Sequence, residues 1–261
     1  MNGSTTRLRG SLGSFAAAWV VLGPTLTAWS WDEREHPVAP ITPEGARLAA
    51  ELDRLEIEKY WLPGRAVHWR SGEVDPEGRQ RATHCSAFAA AACDRLGVYL
   101  LRPPDHAATL LANAQNAWLN STIAADRGWV RLPSAIEAQA SANAGRVVVA
   151  SFANPNRRKP GHIAVVRPAL VTREQVERDG PRIMQAGSEN LRDATLKRGF
   201  SKHPEAFRDG RIEFFAHDAS IPDSKRAEPP PGRTSPSPNE EPLTLETGGR
   251  PGIAHLAGDR G

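Results

Sequence analysis

The spacing of apolar residues changes part-way along this chain, and the change limits the folds that it can adopt. In the first half, apolar residues recur at helical spacing, as in the predicted helix that opens at Thr42-Pro43-Glu44 and runs to about Trp61. From residue 146 onward, short apolar runs rich in β-branched and aromatic residues predict strands. These runs are 146–152, 162–167, 182–186 and 211–216. Helices that precede strands, with short connections between the last strands, predict an α+β fold with an antiparallel sheet.

Further segments at helical spacing lie before the strands. Predicted helices cover 85–96, 105–119 and 133–142, and residues 66–69 favour a short strand. Thr83 is the expected N-cap of the helix at 85–96, and Gly97 is its expected end.

The N-terminus is typical of an export signal. Arg7 and Arg9 give it a positive start, residues 12–26 are mostly apolar, and residues 28–30 (AWS) place small side chains where a signal peptidase cleaves. The apolar run is shorter than the roughly 20 residues that a membrane span needs. We expect residues 1–30 to be a signal peptide that is removed. The mature protein is then periplasmic or extracellular, with no stable membrane insertion.

Composition divides the rest of the chain. Residues 31–41 are polar and predict a connector, and the region from 222 to 261 is so rich in proline and glycine that we expect it to be disordered. One domain is therefore expected over 42–221.

The formal net charge is only +3, which permits an anionic polymer as partner but does not require one. The longest run of adjacent basic residues is Arg157, Arg158 and Lys159, and such a short run favours a solvated loop. The sequence contains no nucleotide-binding motif, and we expect no nucleic-acid partner.

The sequence contains two cysteines, Cys85 and Cys93. Their spacing on one predicted helix separates them by roughly 12 Å along its axis, whereas a disulfide needs Cα atoms within about 7 Å. We therefore expect both thiols to be free. Cys93, deeper in the helix, fits a buried apolar residue. A free thiol in an exported protein calls for a chemical explanation, and Cys85 is the candidate.

Three residues form a candidate catalytic set. Cys85 lies in the first turn of its helix, where free N–H groups and the macrodipole stabilise a thiolate. His162 follows a glycine and opens a predicted strand, so its ring can emerge at the end of a sheet. A base of this kind needs a group that orients the imidazole, which Gln185 on the next strand can supply, with Asn190 as the alternative. Each residue also has a structural interpretation: a buried apolar thiol, a structural histidine, and a solvent-facing amide on an edge strand.

The segments THCSAFAAAACDRLGV, GRVVVASF, GHIAVVRP and RIMQAG resemble the NlpC-type and CHAP branches of the papain-like cysteine peptidases and amidases over about residues 80–216. The resemblance implies a papain-like fold, with N-terminal helices packed on an antiparallel sheet of about four to six strands. It implies Cys85 as nucleophile, His162 as base and Gln185 as the orienting residue. It also implies cleavage of amide bonds through a thioacyl intermediate, usually in the stem peptides of peptidoglycan.

Other functions are weighed against this one. The sequence has no HExxH or CxxC motif and its histidines are scattered, so we expect neither a metal nor another cofactor. A thiol acyltransferase or deamidase of the same fold would use the same cysteine and histidine. A non-catalytic module that binds the cell wall is the alternative from a different class.

Overall fold

The protein folds as a mixed helix-and-strand domain. The structure, a computed structural model, describes Gly3 and residues 35–78 and 84–220. The predicted signal peptide at 1–30, apart from Gly3, and the predicted tail at 222–261 lie outside the described residues.

Helices and strands alternate along the second half of the chain. The helices are α1 (Pro43–Asp53), α2 (Cys85–Arg95), α3 (Leu111–Leu119), α4 (Thr122–Asp126), α5 (Ala135–Asn143), α6 (Arg173–Asp179), α7 (Leu196–Gly199) and α8 (Pro204–Arg208). The strands are β1 (Val130–Leu132), β2 (Val147–Phe152), β3 (His162–Val166), β4 (Arg182–Gln185), β5 (Leu191–Thr195) and β6 (Glu213–His217).

All six strands belong to one open sheet in the order β1-β6-β2-β3-β4-β5. Every neighbouring pair is antiparallel, so the prediction of an α+β fold with an antiparallel sheet is confirmed. The four predicted strands correspond to β2, β3, β4 and β6. The sheet gains β1 and β5 at its edges, two short strands that the sequence analysis does not predict.

Helices cover both faces of the sheet, which explains why β2 and β3 are buried at every position. Alternate side chains of a strand point to opposite faces. Val149 and Val165 pack with α2 in one apolar cluster, whereas Ala150 and Ala164 pack with α5 in a second cluster. The site described below lies at the start of β3, where Cys85 belongs to the first cluster and His162, paired with Phe152 of the second cluster, lies on the face of Ala164.

The predicted first helix is correct at its start and wrong at its end. The Thr42 side chain caps α1 by accepting a hydrogen bond from the Gly45 N–H at 3.1 Å. The helix ends at Asp53 rather than near Trp61, because Glu56 and Trp61 adopt left-handed conformations with φ of 48° and 51°. The turn buries the Trp61 side chain, whose indole N–H donates to the Trp69 carbonyl at 3.0 Å.

Two other predicted helix starts are also corrected. The helix predicted from residue 105 begins at Leu111, after Leu110 has taken a left-handed φ of 54°. The N-cap of α2 is His84 and not Thr83, and the His84 side chain makes no capping hydrogen bond. Thr83 itself lies outside the described residues. The cavity that opens beside Leu110 is described further below.

The described part of the predicted connector lies against the domain. The Val38 N–H donates to the Val171 carbonyl at 2.9 Å, and the Arg173 N–H donates to the His36 carbonyl at 3.3 Å. Among the helices of the described residues, none is both long and apolar enough to cross a membrane.

Candidate active site

Cys85 is the first residue of α2, and its side chain is turned toward β3. The residue is buried, with 6% of its surface exposed. β4 pairs with β3 only at Val165 and Val166, so the first residues of β3 have no strand partner on that side. The main-chain N–H of Ile163 points to the Cys85 sulfur instead. The thiol therefore occupies the seam that opens where β4 leaves β3.

Burial decides the protonation state of this thiol. It raises the pKa of Cys85 above the ordinary value of 9.0, while the main-chain N–H groups of Ile163, Ser86 and Cys85 itself act in the opposite direction. The burial effect is the larger one. The sequence predicts that the start of the helix lowers the pKa of this thiol, and that prediction is wrong because the net shift is upward. Cys85 is therefore a neutral thiol at rest. It needs a base to become a nucleophile.

His162 is the first residue of β3 and is held by Gln185. The His162 Nε2 lies 2.7 Å from Gln185 Oε1, in a buried position. An amide oxygen can only accept a hydrogen bond, so Nε2 carries the proton in the neutral ring. The other nitrogen, Nδ1, is then left with its lone pair and can act as a base. Nδ1 bonds to none of the described residues and is not sealed from solvent.

The environment of the His162 ring keeps it neutral. Its closest aromatic neighbour is Phe200 of the α7–α8 turn, edge-on at 4.6 Å between ring centroids. Only 8% of the residue is exposed. Burial lowers the pKa of His162 below the ordinary 6.5, and the hydrogen bond to Gln185 offsets part of that effect. A neutral imidazole keeps a lone pair on Nδ1 and can therefore accept a proton.

Two glycines make room for the amide of Gln185 at the end of β4. A Cβ atom on Gly199 would lie 2.7 Å from Gln185 Oε1, and one on Gly187 would lie 3.2 Å from Gln185 Nε2. The strand pairing is irregular between Ile183 and Gln185. This irregularity and the close backbone approach place the amide against the imidazole.

The sulfur and the imidazole lie on neighbouring chain segments, but no direct bond joins them. Among the described residues, no hydrogen bond connects Cys85 Sγ with the ring of His162, and the sulfur approaches the N–H of the next residue, Ile163. The structure thus brings His162 and Gln185 into contact and places Cys85 beside the main chain at the start of β3. The catalytic roles of all three residues stay predictions.

Asn190, the alternative to Gln185, is used elsewhere. Its Nδ2 donates to the carbonyls of Ile57 and Tyr60 at 2.7 and 2.9 Å, and more weakly to that of Trp61 at 3.3 Å. These bonds tie the loop after α1 to the turn after β4. Asn190 therefore contributes to the fold through Nδ2, and its buried Oδ1 makes no hydrogen bond to His162.

Two other candidate side chains are placed away from this pair. Both thiols are free, and burial raises the pKa of Cys93 to about 12, as expected for a buried apolar residue. His84 precedes Cys85, but its ring faces the Arg65 carbonyl at 2.8 Å.

Sequence reasoning missed His203. Its ring lies 6.0 Å from that of His162 and 5.3 Å from that of Phe152, measured between centroids. Burial lowers the pKa of His203, and repulsion from His162, whenever that ring is protonated, acts in the same direction. The pair His203-Pro204 at the start of α8 marks a helix start, but no local pattern predicts that this start faces β3.

The described residues contain no group of three or more His, Cys, Asp or Glu side chains that could hold a metal ion. A cavity of about 920 Å³ lies among β1, β6 and α5–α8, but neither Cys85, His162 nor Gln185 lines it. The sequence matches no protein-family model and no curated protein.

Proposed function

We propose that this protein is an exported thiol hydrolase that cleaves amide bonds, with Cys85 as nucleophile, His162 as base and Gln185 as the residue that orients the base. The observation that carries the proposal is the 2.7 Å hydrogen bond between His162 Nε2 and Gln185 Oε1. It fixes the tautomer in which Nδ1 is free to take a proton, at the residue that precedes Ile163, whose main-chain N–H points to the free thiol of Cys85.

The first chemical step is proton transfer coupled to attack. His162 Nδ1 takes the proton from Cys85 Sγ, and the sulfur forms a bond to the carbonyl carbon of the substrate amide. The negative charge moves to the carbonyl oxygen. The N–H of Cys85, with the neighbouring N–H of Ser86, is the candidate donor to that oxygen, because both groups face the sulfur. Such donors contribute a few kcal/mol to the stability of the transition state.

The second half of the cycle restores the enzyme. The protonated imidazole gives its proton to the amide nitrogen, the carbon–nitrogen bond breaks, and the amine leaves with a thioester on Cys85. His162 then takes a proton from water, which attacks the thioester and releases a carboxylic acid. The sulfur regains its proton from the ring. Gln185 keeps its hydrogen bond to Nε2 throughout and so prevents the ring from turning away.

The proposed substrate is the peptide stem of peptidoglycan. Two sequence features support it: the resemblance to NlpC-type and CHAP enzymes, and the N-terminal segment typical of an export signal, which would deliver the enzyme to the compartment of the cell wall. In this proposal the protein acts in the periplasm or outside the cell and needs no cofactor.

Digestion of purified peptidoglycan tests the proposal. The protein is incubated with the polymer, and the products are separated and identified by mass spectrometry. We expect fragments with one new amino group and one new carboxyl group per cut. Cys85→Ser is expected to lower the rate by roughly 1,000-fold or more, whereas the matched control Cys93→Ser keeps the activity because Cys93 is fully buried in α2.

Other outcomes would identify the alternatives. Transfer of an acyl group onto an added amine without release of wall fragments would identify an acyltransferase. Wall binding that Cys85→Ser leaves intact, without products from the unmodified protein, would identify a binding module and contradict the hydrolase proposal.

A further inference from the structure

An open cavity of about 750 Å³, with a mainly apolar wall that carries a few polar groups, lies next to the segment that leads to His162. It is bounded by the start of α3 on one side and by the β2–β3 loop, residues 153–161, on the other. Its polar lining comes from His106, Thr109, Asn113, Asn154 and Arg157. No aspartate or glutamate lines it, so the one formally charged side chain in its wall is positive.

Asn113 couples this cavity to the proposed site. Its Oδ1 accepts a hydrogen bond from the Asn154 N–H at 3.0 Å, and its Nδ2 donates to the Lys159 carbonyl at 2.9 Å. The same oxygen would lie 2.5 Å from a Cβ on Gly161. Gly161 immediately precedes His162, so one wall of the cavity is fixed against the backbone that positions the proposed base.

The β2–β3 loop holds its shape through main-chain N–H groups that donate to two asparagine side chains and one carbonyl. The Asn156 N–H donates to Asn154 Oδ1 at 3.0 Å, and the Arg158 N–H donates to Asn156 Oδ1 at 3.0 Å. The Lys159 N–H closes the turn on the Asn156 carbonyl at 2.8 Å. The loop therefore does not use the side chains of its basic residues to hold its conformation.

Three consecutive cations on this loop have no acidic partner. Arg157, Arg158 and Lys159 are exposed, and within the described parts of the chain their side chains form neither an ion pair nor a hydrogen bond. Arginines elsewhere on the sheet are paired, as Arg131 is with Glu213 at 2.7 Å. An unpaired cluster on an ordered loop creates a positive potential at the cavity beside His162.

We propose that residues 157–159, which we call the cationic loop, and the adjoining cavity bind a carboxylate group of the substrate and thereby select anionic amides. This inference rests on the proposed hydrolase function and extends it to substrate choice. The cationic loop determines specificity and takes no part in the chemistry. Its contribution is expected to raise the affinity for substrate while the rate of the bound complex stays unchanged.

Matched substrates and a loop variant test the inference. Peptidoglycan fragments are compared with the same fragments after their carboxylates have been converted to carboxamides. The variant is Arg157→Gln/Arg158→Gln/Lys159→Gln, and its control, Arg65→Gln/Arg173→Gln, removes two cations that have no ion pair within the described residues and lie outside the loop. Exposed charge pairs are individually weak, so we expect the unmodified protein to favour the anionic fragments by about fivefold in kcat/KM. The variant should lose this preference through KM, and the control should keep it.

A binding assay separates failure of this inference from failure of the proposed function. Cys85→Ser protein is titrated with a fluorescein-labelled tri-glutamate peptide and with the tri-glutamine equivalent, and fluorescence anisotropy is recorded. Selective binding of tri-glutamate that the loop variant loses supports the inference, even where no hydrolysis occurs. Hydrolysis of charged and neutral fragments at equal rates would overturn it and leave the hydrolase proposal standing.

Two further measurements define the anion. The preference should shrink between 0.05 and 0.5 M salt, because a Debye length of about 10 Å at 0.1 M screens exposed charges. Acetate should compete with the tri-glutamate peptide. Competition by inorganic phosphate alone, with no effect of acetate, would overturn the carboxylate assignment. Both variants must have the same melting temperature as the unmodified protein. We expect this result because the substituted side chains form no ion pair within the described residues.

Discussion

The Nε2 atom of His162 lies 2.7 Å from the Oε1 atom of Gln185, although 23 positions separate the two residues along the chain. The intervening segment contains α6, which packs against α5 and α7. The length of the connection is therefore no obstacle to the pairing, because a helix occupies it and the antiparallel register of β3 and β4 brings the two ends together.

Replacement of Gln185 by leucine should lower kcat and leave KM unchanged. The substitution keeps an apolar side chain of similar length at the end of β4 but removes the acceptor that holds His162 Nε2. A ring that is free to turn spends less time with Nδ1 toward the thiol, and we expect kcat to fall on the order of 100-fold. Steady-state kinetics on peptidoglycan fragments measures the effect.

Asn190→Ala is the matched comparison, because Asn190 is the other amide that could have oriented the base. Its removal leaves buried carbonyls of the 57–61 loop without a donor, at a cost of about 1–3 kcal/mol in the free energy of unfolding. Activity per folded molecule should not change. A loss of kcat in Asn190→Ala equal to that in Gln185→Leu would contradict the assignment of Gln185.

Gly199→Ala should act on catalysis through Gln185. The new methyl group would lie 2.7 Å from Gln185 Oε1 and 2.8 Å from Ile183 Cδ1, closer than either atom tolerates. The amide must move away, and displacements of this size in a catalytic set cost on the order of 100-fold in rate. Gly187→Ala is the milder control, since its Cβ would approach Gln185 Nε2 only to 3.2 Å. Equal kinetics in both variants would show that Gln185 has no part in the reaction.

The free enzyme should react slowly with iodoacetamide at neutral pH. Burial raises the pKa of Cys85 above 9.0, so little thiolate exists at pH 7, and the alkylation rate should climb only as the pH rises beyond 9. The measurement uses Cys93→Ser protein, in which Cys85 is the only thiol, with mass spectrometry at timed intervals. Fast alkylation at pH 7 would mean that an ion pair with His162 already exists at rest.

Acid should destabilise the fold partly through His162. Its pKa in the folded protein lies below the ordinary 6.5, so the unfolded chain binds the proton more tightly. The contribution of neutral His162 to the free energy of unfolding is therefore complete above pH 6.5. It is lost as the pH falls from 6.5 through the pKa that His162 has in the folded protein. Urea denaturation at pH 7.5 and 5.5 should show a lower midpoint in acid, with a smaller difference in His162→Gln. An equal difference in both proteins would count against a neutral, buried His162.

The sequence predicts the parts of the site that depend on local patterns. The small side chains from Cys85 onward predict α2 to within one residue of its observed end at Arg95, and the β-branched run after His162 predicts β3 equally well. Most residues of α2 and all residues of β3 are buried, so their composition carries a strong signal. Gln185 is found for the same reason, as a polar residue within an apolar strand.

The remaining features depend on contacts that no local pattern contains. The end of α1 is set by the burial of Trp61 over Gly72, where a Cβ would lie 2.4 Å from the indole. The short helices α7 and α8 contain too few turns to show a period. The net pKa of Cys85 depends on burial by the sheet, which the position of the residue in its helix does not reveal.

The donor that faces the Cys85 sulfur from β3 is a peptide group, and this has an evolutionary consequence. A substitution at Ile163, proline excepted, changes packing but cannot remove the N–H. The polar environment of the sulfur is thus encoded by the course of the strands, namely the departure of β4 from β3, and not by the identity of one side chain. Other apolar residues can replace Ile163 without loss of this contact. Insertions that extend the pairing of β4 along the whole of β3 would abolish it.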